Sequence, residues 1–534
     1  MKPRLVLRRR WFLAAAAATA AATESPPQRF DIVVYAATAG GVIAAIAAAR
    51  EGLQVALAEP GRFIGGMTSG GLGRTDHGNK AAIGGYSLEF YQRVAKKYGQ
   101  PAAVWDFEPH VAETVLKEML AESKVQLFTD RRLREDGGVR KRGGSIRELF
   151  FENGTSLEAR IFIDASYEGD VLKQAKVSYT IGREGIAQYG ESLAGVRPKD
   201  RNHQFDFPVS GLDDTGRPLP DVSAAPRGEP GAADKAVQAY NFRLCLTRNP
   251  DNRIPMPRPV DYSAGRWELA ARYLAAFART KGRPPEMKDL FIISPLPNGK
   301  TDINNRGPVS TDHIGASWSY PDASYSARAA IWQEHMNYTA GLFTFLATDD
   351  RVPASLRAEV GEWGLAADEF AGANHWPHQL YVREARRLVG DFVMTQKDIQ
   401  THLTKPDVIG MGSYNSDSHN VQRFLEKDGT VQNEGNMEVR VAPYQIPYRV
   451  LLPKKKEVQN LLVPVCVSSS HVAYSTLRME PVYMILGQAA GVAAKMALDN
   501  RQAVQDVDTA ALRARLAAQG VVFELAEKTT GKPE

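Results

Sequence analysis

Cysteine is scarce in this chain, with only Cys245 and Cys466 among 534 residues. One disulfide is the most that can form, so the sequence excludes a disulfide framework and a metal site built from thiolates. The nucleophile elbow of hydrolases, a phosphate-binding lysine loop and paired carboxylates at a recognisable spacing are also absent. We therefore predict no metal site.

An excess of charge is missing as well. The formal net charge is +5, but residues 1–22 carry five basic residues and no acid, and the rest of the chain has 61 basic and 61 acidic residues. Such a neutral body offers no electrostatic attraction to nucleic acid or to an anionic membrane surface. Its 43% hydrophobic and 24% charged residues are typical of a globular enzyme of two or three domains.

The N-terminus lacks an apolar run long enough to cross a bilayer. Trp11 to Ala22 is about half the required length and is followed by small-residue cleavage sites. Arg9-Arg10-Trp11-Phe12-Leu13 resembles the twin-arginine export consensus. We therefore predict a twin-arginine signal peptide over 1–22, a periplasmic or secreted protein, and no membrane span after its removal. The alternative is a basic, disordered N-terminus without targeting value.

The most informative segment that is present runs from Asp31 to Glu59. It has the order of a buried strand, a tight turn, an alanine-rich helix and a second strand that ends in an acid. This order is typical of an adenine dinucleotide site, in which the helix N-terminus faces the pyrophosphate and the acid binds a ribose. Ala36 and Thr38 occupy the usual first two glycine positions, so an ordinary strand-turn-helix is the alternative. The predicted cofactor contacts here are Ala36, Gly40, Gly41 and Glu59.

A glycine-rich loop follows at 60–73. Its backbone suits close approach to a flat ligand, and its apolar residues argue against a flexible surface loop. We predict that Gly65, Gly66 and Met67 contact the ribityl and ring portion of a flavin. Next come predicted helices near 86–98 and 111–122, a strand at 125–129, and a hairpin that turns at Asn153-Gly154. The second hairpin strand ends at Asp164, which places Ala165 at the cofactor edge of a sheet.

The pattern of predicted elements changes after about residue 177, where mixed strands and proline-rich connections are typical of an inserted substrate domain. Sheet-like sequence returns at Leu461 to Val467, and Pro481 begins an apolar helix that carries the predicted cofactor residues Gly487 and Gln488. A closing helix and strand are predicted from Thr509 to Leu525. The fold class is therefore α/β: a Rossmann-like dinucleotide-binding domain, with a parallel sheet and β-meander, interrupted by an α+β substrate domain. The predicted boundaries are 30–176, 177–440 and 441–525.

With these residues in view, the chain resembles the bacterial FAD-dependent oxidoreductases of the glutathione-reductase-like superfamily, whose exported members often carry the label "xanthan lyase". The resemblance covers nearly everything from Asp31 to Leu525. It rests on Gly65-Gly-Met-Thr-Ser-Gly-Gly-Leu-Gly, Ile163-Asp-Ala-Ser-Tyr-Glu-Gly-Asp, Tyr240-Asn-Phe-Arg, Asp302-Ile-Asn-Asn, His375-Trp-Pro-His, Tyr381-Val-Arg-Glu-Ala-Arg-Arg, Ser413-Tyr-Asn-Ser-Asp-Ser-His, and the segment from His471 to Gly491.

The resemblance implies FAD, held by two distant chain segments around a substrate domain. Some relatives attach FAD through a histidine shortly after the ribose acid, but residues 60–70 contain none. We therefore expect non-covalent FAD, with His77 as the alternative attachment point.

A flavin dehydrogenase needs a base for the departing proton and cations that orient polar substrate groups. His471 is the first candidate for the base, because it is predicted in the loop before the flavin-facing helix, with Arg478 nearby. Arg383 is predicted on a helix with Arg387 on the same face, as a substrate-orienting residue. Arg243, among apolar neighbours, needs an anionic partner if buried and is predicted to clamp substrate.

Structural roles remain as alternatives for these residues. A loop histidine such as His471 often only hydrogen-bonds to the backbone, and a charged helix face such as that of Arg383 is usually solvated. Trp376 is equally consistent with sugar stacking and with packing. His375 and His378 flank Pro377, which disfavours a helical metal site.

These features predict an exported oxidoreductase that transfers hydride from a small polar substrate, carbohydrate-like or hydroxylated, to FAD. The electron acceptor that reoxidises FAD is not identified by the sequence. One alternative is an FAD-containing lyase acting on uronic-acid polysaccharide, and another is a binding protein with a vestigial cofactor fold.

Overall fold

The computed structural model describes residues 28–525. The predicted signal peptide lies outside this range. Within it, the strands are β1 (Gln28–Tyr35), β2 (Val55–Ala58), β3 (Gln126–Phe128), β4 (Val139–Arg142), β5 (Ser145–Phe150), β6 (Ser156–Asp164), β7 (Tyr179–Thr180), β8 (Leu244–Thr247), β9 (Arg253–Ile254), β10 (Phe291–Leu296), β11 (Lys300–Asn305), β12 (Gly364–Ala366), β13 (Arg387–Leu388), β14 (Val408–Gly412), β15 (Ser416–Ser418), β16 (Gln422–Leu425), β17 (Val431–Glu434), β18 (Met437–Val439), β19 (Tyr444–Pro447) and β20 (Leu461–Leu462).

The helices range from single turns of four residues to a long helix of 24 residues. They are α1 (Ala39–Arg50), α2 (Gly85–Lys97), α3 (Pro109–Glu122), α4 (Asp170–Gln174), α5 (Ile186–Tyr189), α6 (Glu268–Lys281), α7 (Met287–Leu290), α8 (Tyr325–Thr348), α9 (Ala354–Gly361), α10 (Gln396–Gln400), α11 (His471–Leu477), α12 (Glu480–Asp499) and α13 (Thr509–Ala518).

The larger sheet has seven strands, six from the N-terminal part of the described chain and one, β20, from its C-terminal part. Strands β3, β2, β1 and β6 are parallel neighbours in that order, and β20 pairs in parallel with the last part of β6. The sheet continues with β5, which pairs antiparallel with β6, and with β4, which pairs antiparallel with β5. A parallel βαβ sheet with an antiparallel meander is a Rossmann-like arrangement. The predicted α/β fold class is confirmed.

The chain leaves this sheet after β6 and returns at β20. Between them, β10, β11, β8, β12 and β9 form a five-stranded antiparallel sheet, accompanied by α6, α8 and α9. Strands β14 to β19 form three antiparallel pairs beside α11 and α12. The long excursion therefore places residues from the middle of the sequence next to the edge of the first sheet.

Helices α1 and α12 pack backbone to backbone beneath the seven-stranded sheet. A Cβ added at Gly487 would lie 2.1 Å from the carbonyl oxygen of Gly40, and one added at Gly491 would lie 2.5 Å from that of Ala44. The side chain of Gln488 accepts a hydrogen bond from the backbone N–H of Tyr86 at 2.8 Å. The prediction that Gly487 and Gln488 contact the cofactor is therefore corrected: these positions face neighbouring helices.

Helix α12 passes the length and composition test for a membrane span, but 89% of its apolar window is buried inside the protein. It is the central helix of the core. Among the described residues it is the single helix that passes this test.

Several local predictions were wrong for identifiable reasons. Arg383 and Arg386 lie in an irregular segment and Arg387 begins β13, so the predicted helix is absent because burial and ion pairing override local propensity. The predicted closing helix is α13, but residues 521–525 form no strand. The two cysteines, Cys245 and Cys466, are buried free thiols.

Candidate functional site

The turn between β1 and α1 has the geometry of a dinucleotide-binding turn. Ala36 adopts φ 72°, a left-handed conformation that an L-residue holds at a cost of about 1–2 kcal/mol. A Cβ added at Gly41 would lie 2.0 Å from the Ala36 carbonyl oxygen, so only glycine allows the helix to begin this close to the strand. The backbone therefore behaves as the glycine fingerprint predicts, although alanine replaces the first glycine.

Thr38, which occupies a usual glycine position, has a structural role. Its hydroxyl accepts a hydrogen bond from Gly41 N–H at 3.1 Å and donates one to the carbonyl oxygen of Ala165 at 2.8 Å. It thus caps α1 and ties the helix to the end of β6. The remaining first-turn N–H groups have no partner within the helix and are available to an anionic phosphate.

Glu59, at the end of β2, is fixed beside this turn. One carboxylate oxygen accepts from Ala37 N–H and the other from Gly61 N–H, each at 2.7 Å. Burial raises the pKa of Glu59 to about 7, against the opposing effect of those two hydrogen bonds. Each oxygen keeps a lone pair that can accept from a ribose hydroxyl.

The glycine-rich loop is anchored between the turn and Tyr167. Gly65 N–H donates to the Ala37 carbonyl at 2.6 Å, and Met67 N–H donates to the Tyr167 hydroxyl at 2.9 Å. Gly65 and Gly66 have φ of 100° and 54°, and a Cβ on Gly66 would overlap the Tyr167 ring. The Met67 side chain is fully buried in the core and Gly66 faces the adjoining cavity.

That cavity, of about 370 Å³, lies at the carboxyl edge of the parallel strands. Its lining from the sheet side is Tyr35, Ala36, Thr38, Glu59, Pro60, Phe63, Gly66, Ser166, Tyr167, Glu168 and Asp170. The N-terminus of α1, a buried carboxylate and the glycine-rich loop therefore meet in one cavity. The donor set and the shape fit the adenosine and pyrophosphate portion of FAD.

Three predicted arginines converge on a second, polar region around the Tyr381 ring. The guanidinium carbon of Arg383 lies 4.6 Å from the ring centroid and that of Arg478 lies 5.7 Å from it. Arg478 also donates to the Tyr381 hydroxyl at 3.0 Å. Burial raises the pKa of Tyr381, and the positive charges of Arg478, Arg383 and Arg243 oppose this rise. We call the set Arg243, Arg383, Arg478 and Tyr381 the arginine cluster.

Each arginine of this cluster has a carboxylate partner. Arg243 forms two hydrogen bonds to Asp302, both at 2.7 Å. Arg383 Nη2 lies 3.2 Å from Asp312, and Arg478 Nη2 lies 3.4 Å from Asp417. The buried guanidinium groups are thus neutralised by protein acids, as burial requires. The anionic partner expected for Arg243 is Asp302, and the sequence did not identify it.

Two partly exposed carboxylates adjoin this region. Asp76 and Asp417 are both partly exposed, and Tyr414 donates to Asp76 at 3.1 Å. Burial raises the pKa of Asp76, Arg243 opposes this, and the charge of Asp417 adds to it. The region therefore presents carboxylate acceptors toward solvent, with the arginine cluster beneath them.

A histidine beside Arg383 has the geometry of a proton acceptor. His419 Nδ1 lies 2.6 Å from Asp312, and Nε2 makes no hydrogen bond within residues 28–525; its nearest acid is Asp417 at 3.9 Å. Burial, assisted by the charge of Arg383, lowers the pKa of His419 to about 4, so the ring is neutral near pH 7. The sequence assigned no role to His419, which ends the segment beginning at Ser413, because its partner Asp312 is more than a hundred residues away.

His471, the predicted base, is enclosed instead. It is the first residue of α11 rather than part of a loop. Nδ1 lies 2.8 Å from Glu384, Nε2 lies 3.3 Å from the Ser418 hydroxyl, and the backbone N–H donates to Glu184 at 2.8 Å. Burial and the charge of Arg387 lower the pKa of His471 to about 3. Both ring nitrogens are occupied, so the prediction that His471 is the base is corrected.

The remaining candidates have structural partners. Arg386 binds Asp170 at 2.8 Å and Arg387 binds Glu184 at 2.6 Å. Trp376 is buried and packs edge-on against Phe242, which favours packing over sugar stacking. His77, the alternative flavin attachment point, bonds to the Gly78 carbonyl at 2.8 Å and does not line the cavity.

The sequence matches the model of the family described as FAD dependent oxidoreductase over residues 31–516. No curated protein matches the chain.

The solved structures found include an L-amino acid deaminase from Proteus vulgaris (15% identity, 30% of this chain and 62% of that chain, TM-score 0.22). Others are THI4 from Thermovibrio ammonificans (16%, 29% and 66%, 0.22) and an L-proline dehydrogenase from P. horikoshii (17%, 30% and 59%, 0.23). Less than two thirds of each of these chains is covered, and at such scores they carry no argument about substrate.

Proposed function

Because this chain belongs to the FAD dependent oxidoreductase family, whose model spans residues 31–516, we propose that it oxidises a small, hydroxylated, carbohydrate-like substrate. The α1 turn, Glu59 and the loop around Gly66 would hold FAD, which supplies a two-electron acceptor when bound. We further propose that FAD is held non-covalently and that the protein works outside the cytoplasm.

The substrate class is argued from the charge balance of the arginine cluster. Arg243, Arg383 and Arg478 are each paired with an aspartate, so among the described residues no guanidinium of the arginine cluster lacks an anionic partner. A free cation is the strongest side-chain partner for a carboxylate substrate. Asp76 and Asp417 instead offer acceptors, which suit the O–H donors of a hydroxylated compound. This is the observation that carries the proposed substrate class.

His419 is the group that would take the proton of a substrate hydroxyl. Its Nε2 is free to accept, and Asp312 holds the ring by Nδ1 and stabilises the protonated form. Arg383 fixes Asp312 from the other side. Tyr381 and Arg478 lie close enough to the same region to orient further hydroxyls.

An anaerobic spectral titration tests the oxidase or dehydrogenase function. Holoenzyme is mixed with a panel of sugars and polyols, with hydroxy acids, amino acids and dicarboxylates as the contrast set. Loss of the absorbance of oxidised flavin with a hydroxylated compound supports the proposal. Bleaching by the carboxylate set alone contradicts the substrate class. Unsaturated product from a uronic-acid polysaccharide without bleaching supports the lyase alternative instead.

Export is supported by the leader sequence alone, and it is tested by fractionation. Secretion of the folded, cofactor-loaded chain fits the twin-arginine pattern at Arg9-Arg10.

Acid precipitation tests the attachment of FAD, since a non-covalent cofactor appears in the supernatant.

A further inference from the structure

One face of helix α8 lines the cavity described above, together with the residues from the sheet side. The residues of α8 that line the cavity are Tyr325, Arg328, Ala329, Trp332 and Gln333. Their spacing of three and four residues places them on a single helical face. Because α8 belongs to the excursion between β6 and β20, the cavity is shared by two parts of the chain that are distant in sequence.

The start of α8 is fixed against the sheet edge by buried ion pairs. Arg328 donates to both carboxylate oxygens of Asp170, at 2.8 and 3.0 Å, and Asp170 begins α4 just after β6. Arg386 binds the same carboxylate at 2.8 Å. Ser324 caps α8 by accepting from Ala327 N–H. The helix is thus held at a defined distance from Glu59 and the α1 turn.

The wall that α8 presents is aromatic and has cations beside it. The Arg132 guanidinium carbon lies 4.9 Å from the Tyr325 ring centroid, and Tyr320 donates to Glu168 at 3.0 Å. Aromatic and guanidinium planes are surfaces on which a purine stacks. Glu59, on the opposite wall, is placed for the adjoining ribose.

We propose that α8 is the outer wall of the adenosine half of the FAD site, so that the cofactor leaves only when α8 moves from the sheet edge. The Rossmann-like sheet supplies the phosphate and ribose contacts. The inserted lobe, by which we mean the part of the chain between β6 and β20 that carries α8, supplies the surface over the base. FAD binding and the docking of the inserted lobe are therefore coupled, whatever the substrate is. The coupling predicts slow FAD release and an inserted lobe that FAD stabilises.

Two neighbouring alanines allow a matched test on the holoenzyme. Ala329 lines the cavity, whereas Ala330 is exposed on the same helix and does not. We expect Ala329→Trp, which fills the cavity, to be purified with less than about a tenth of the wild-type FAD content, and Ala330→Trp to keep it. FAD content is read from absorbance after denaturation, so no substrate is needed. Equal FAD in both variants would overturn the proposal.

A second variant guards against misfolding of Ala329→Trp. Trp332→Ala enlarges the cavity instead of filling it, and we expect FAD release from holoenzyme to become about five- to hundredfold faster, measured by recovery of flavin fluorescence on dilution. Unchanged release from Trp332→Ala contradicts the proposal. Added ADP should slow thermal unfolding of Ala330→Trp more than that of Ala329→Trp, and an equal effect counts against it. These experiments need no substrate, so they remain decisive even if no hydroxylated compound reduces the flavin in the spectral titration.

Discussion

The close contact between α1 and α12 makes Gly487 sensitive to any added side-chain atom. Replacing it by alanine adds a Cβ 2.1 Å from the Gly40 carbonyl oxygen, an atom of the backbone that cannot rotate away. Alanine is favoured over glycine in a helix by about 1 kcal/mol, whereas overpacking costs about 3 kcal/mol at the upper end. We therefore expect Gly487→Ala to lower the free energy of unfolding by about 2 kcal/mol.

The matched control is Gly361→Ala. Gly361 is the last residue of α9, and nothing lies within 4 Å of an added Cβ there. This change should be neutral or stabilising by up to about 1 kcal/mol. Denaturant unfolding of the two variants, with FAD removed and with FAD in excess, measures the difference. If Gly487→Ala keeps the wild-type stability without FAD and only loses FAD affinity, Gly487 is a cofactor contact and the packing argument is refuted.

Three further predictions concern the site and the leader. His419→Gln and Asp312→Asn should each slow flavin reduction by about 10²–10⁴-fold in rapid-mixing experiments while FAD content stays constant, and an unchanged rate removes His419 as the base. His471, with a folded pKa of about 3 against an ordinary 6.5, binds fewer protons folded than unfolded, so its contribution to stability is lost as pH falls from 6.5 towards 3. His471→Gln should therefore flatten the acid side of the profile of melting temperature against pH, and an unaltered profile contradicts this. Replacing both Arg9 and Arg10 by lysine should leave the precursor in the cytoplasm on fractionation, and normal export of the variant counts against a twin-arginine leader.

The elements of the dinucleotide turn were predictable because their causes are local. A buried strand, a glycine at position 41 and an acid at the end of the next strand are read directly from the sequence, and the structure places Gly41 against Ala36 and Glu59 beside the turn. Hairpin strands β5 and β6 likewise follow from Asn153-Gly154, where Gly154 adopts φ 84°.

The polar site was less accessible because its pairs join distant parts of the chain. Arg243, Arg383 and Arg478 were identified as functional candidates by type, but their partners Asp302, Asp312 and Asp417 carry no local signal. The same reason hid the pairing of His419 with Asp312 and the enclosure of His471 by Glu384.

The contribution of α8 had no sequence signature either. Tyr325, Ala329 and Trp332 form an ordinary helical face, and only the return of the chain to β20 brings that face over the cavity. Gly487 illustrates the opposite error, since a glycine near the expected flavin was assigned to the ligand although it serves the contact between two helices.

The central claim is that two distant chain segments and α8 together enclose FAD. The most direct test is the visible spectrum of freshly purified protein, followed by acid precipitation and quantification of the released flavin. The account predicts a yellow protein with about one FAD per chain in the supernatant. A colourless protein that takes up no FAD on reconstitution would contradict it.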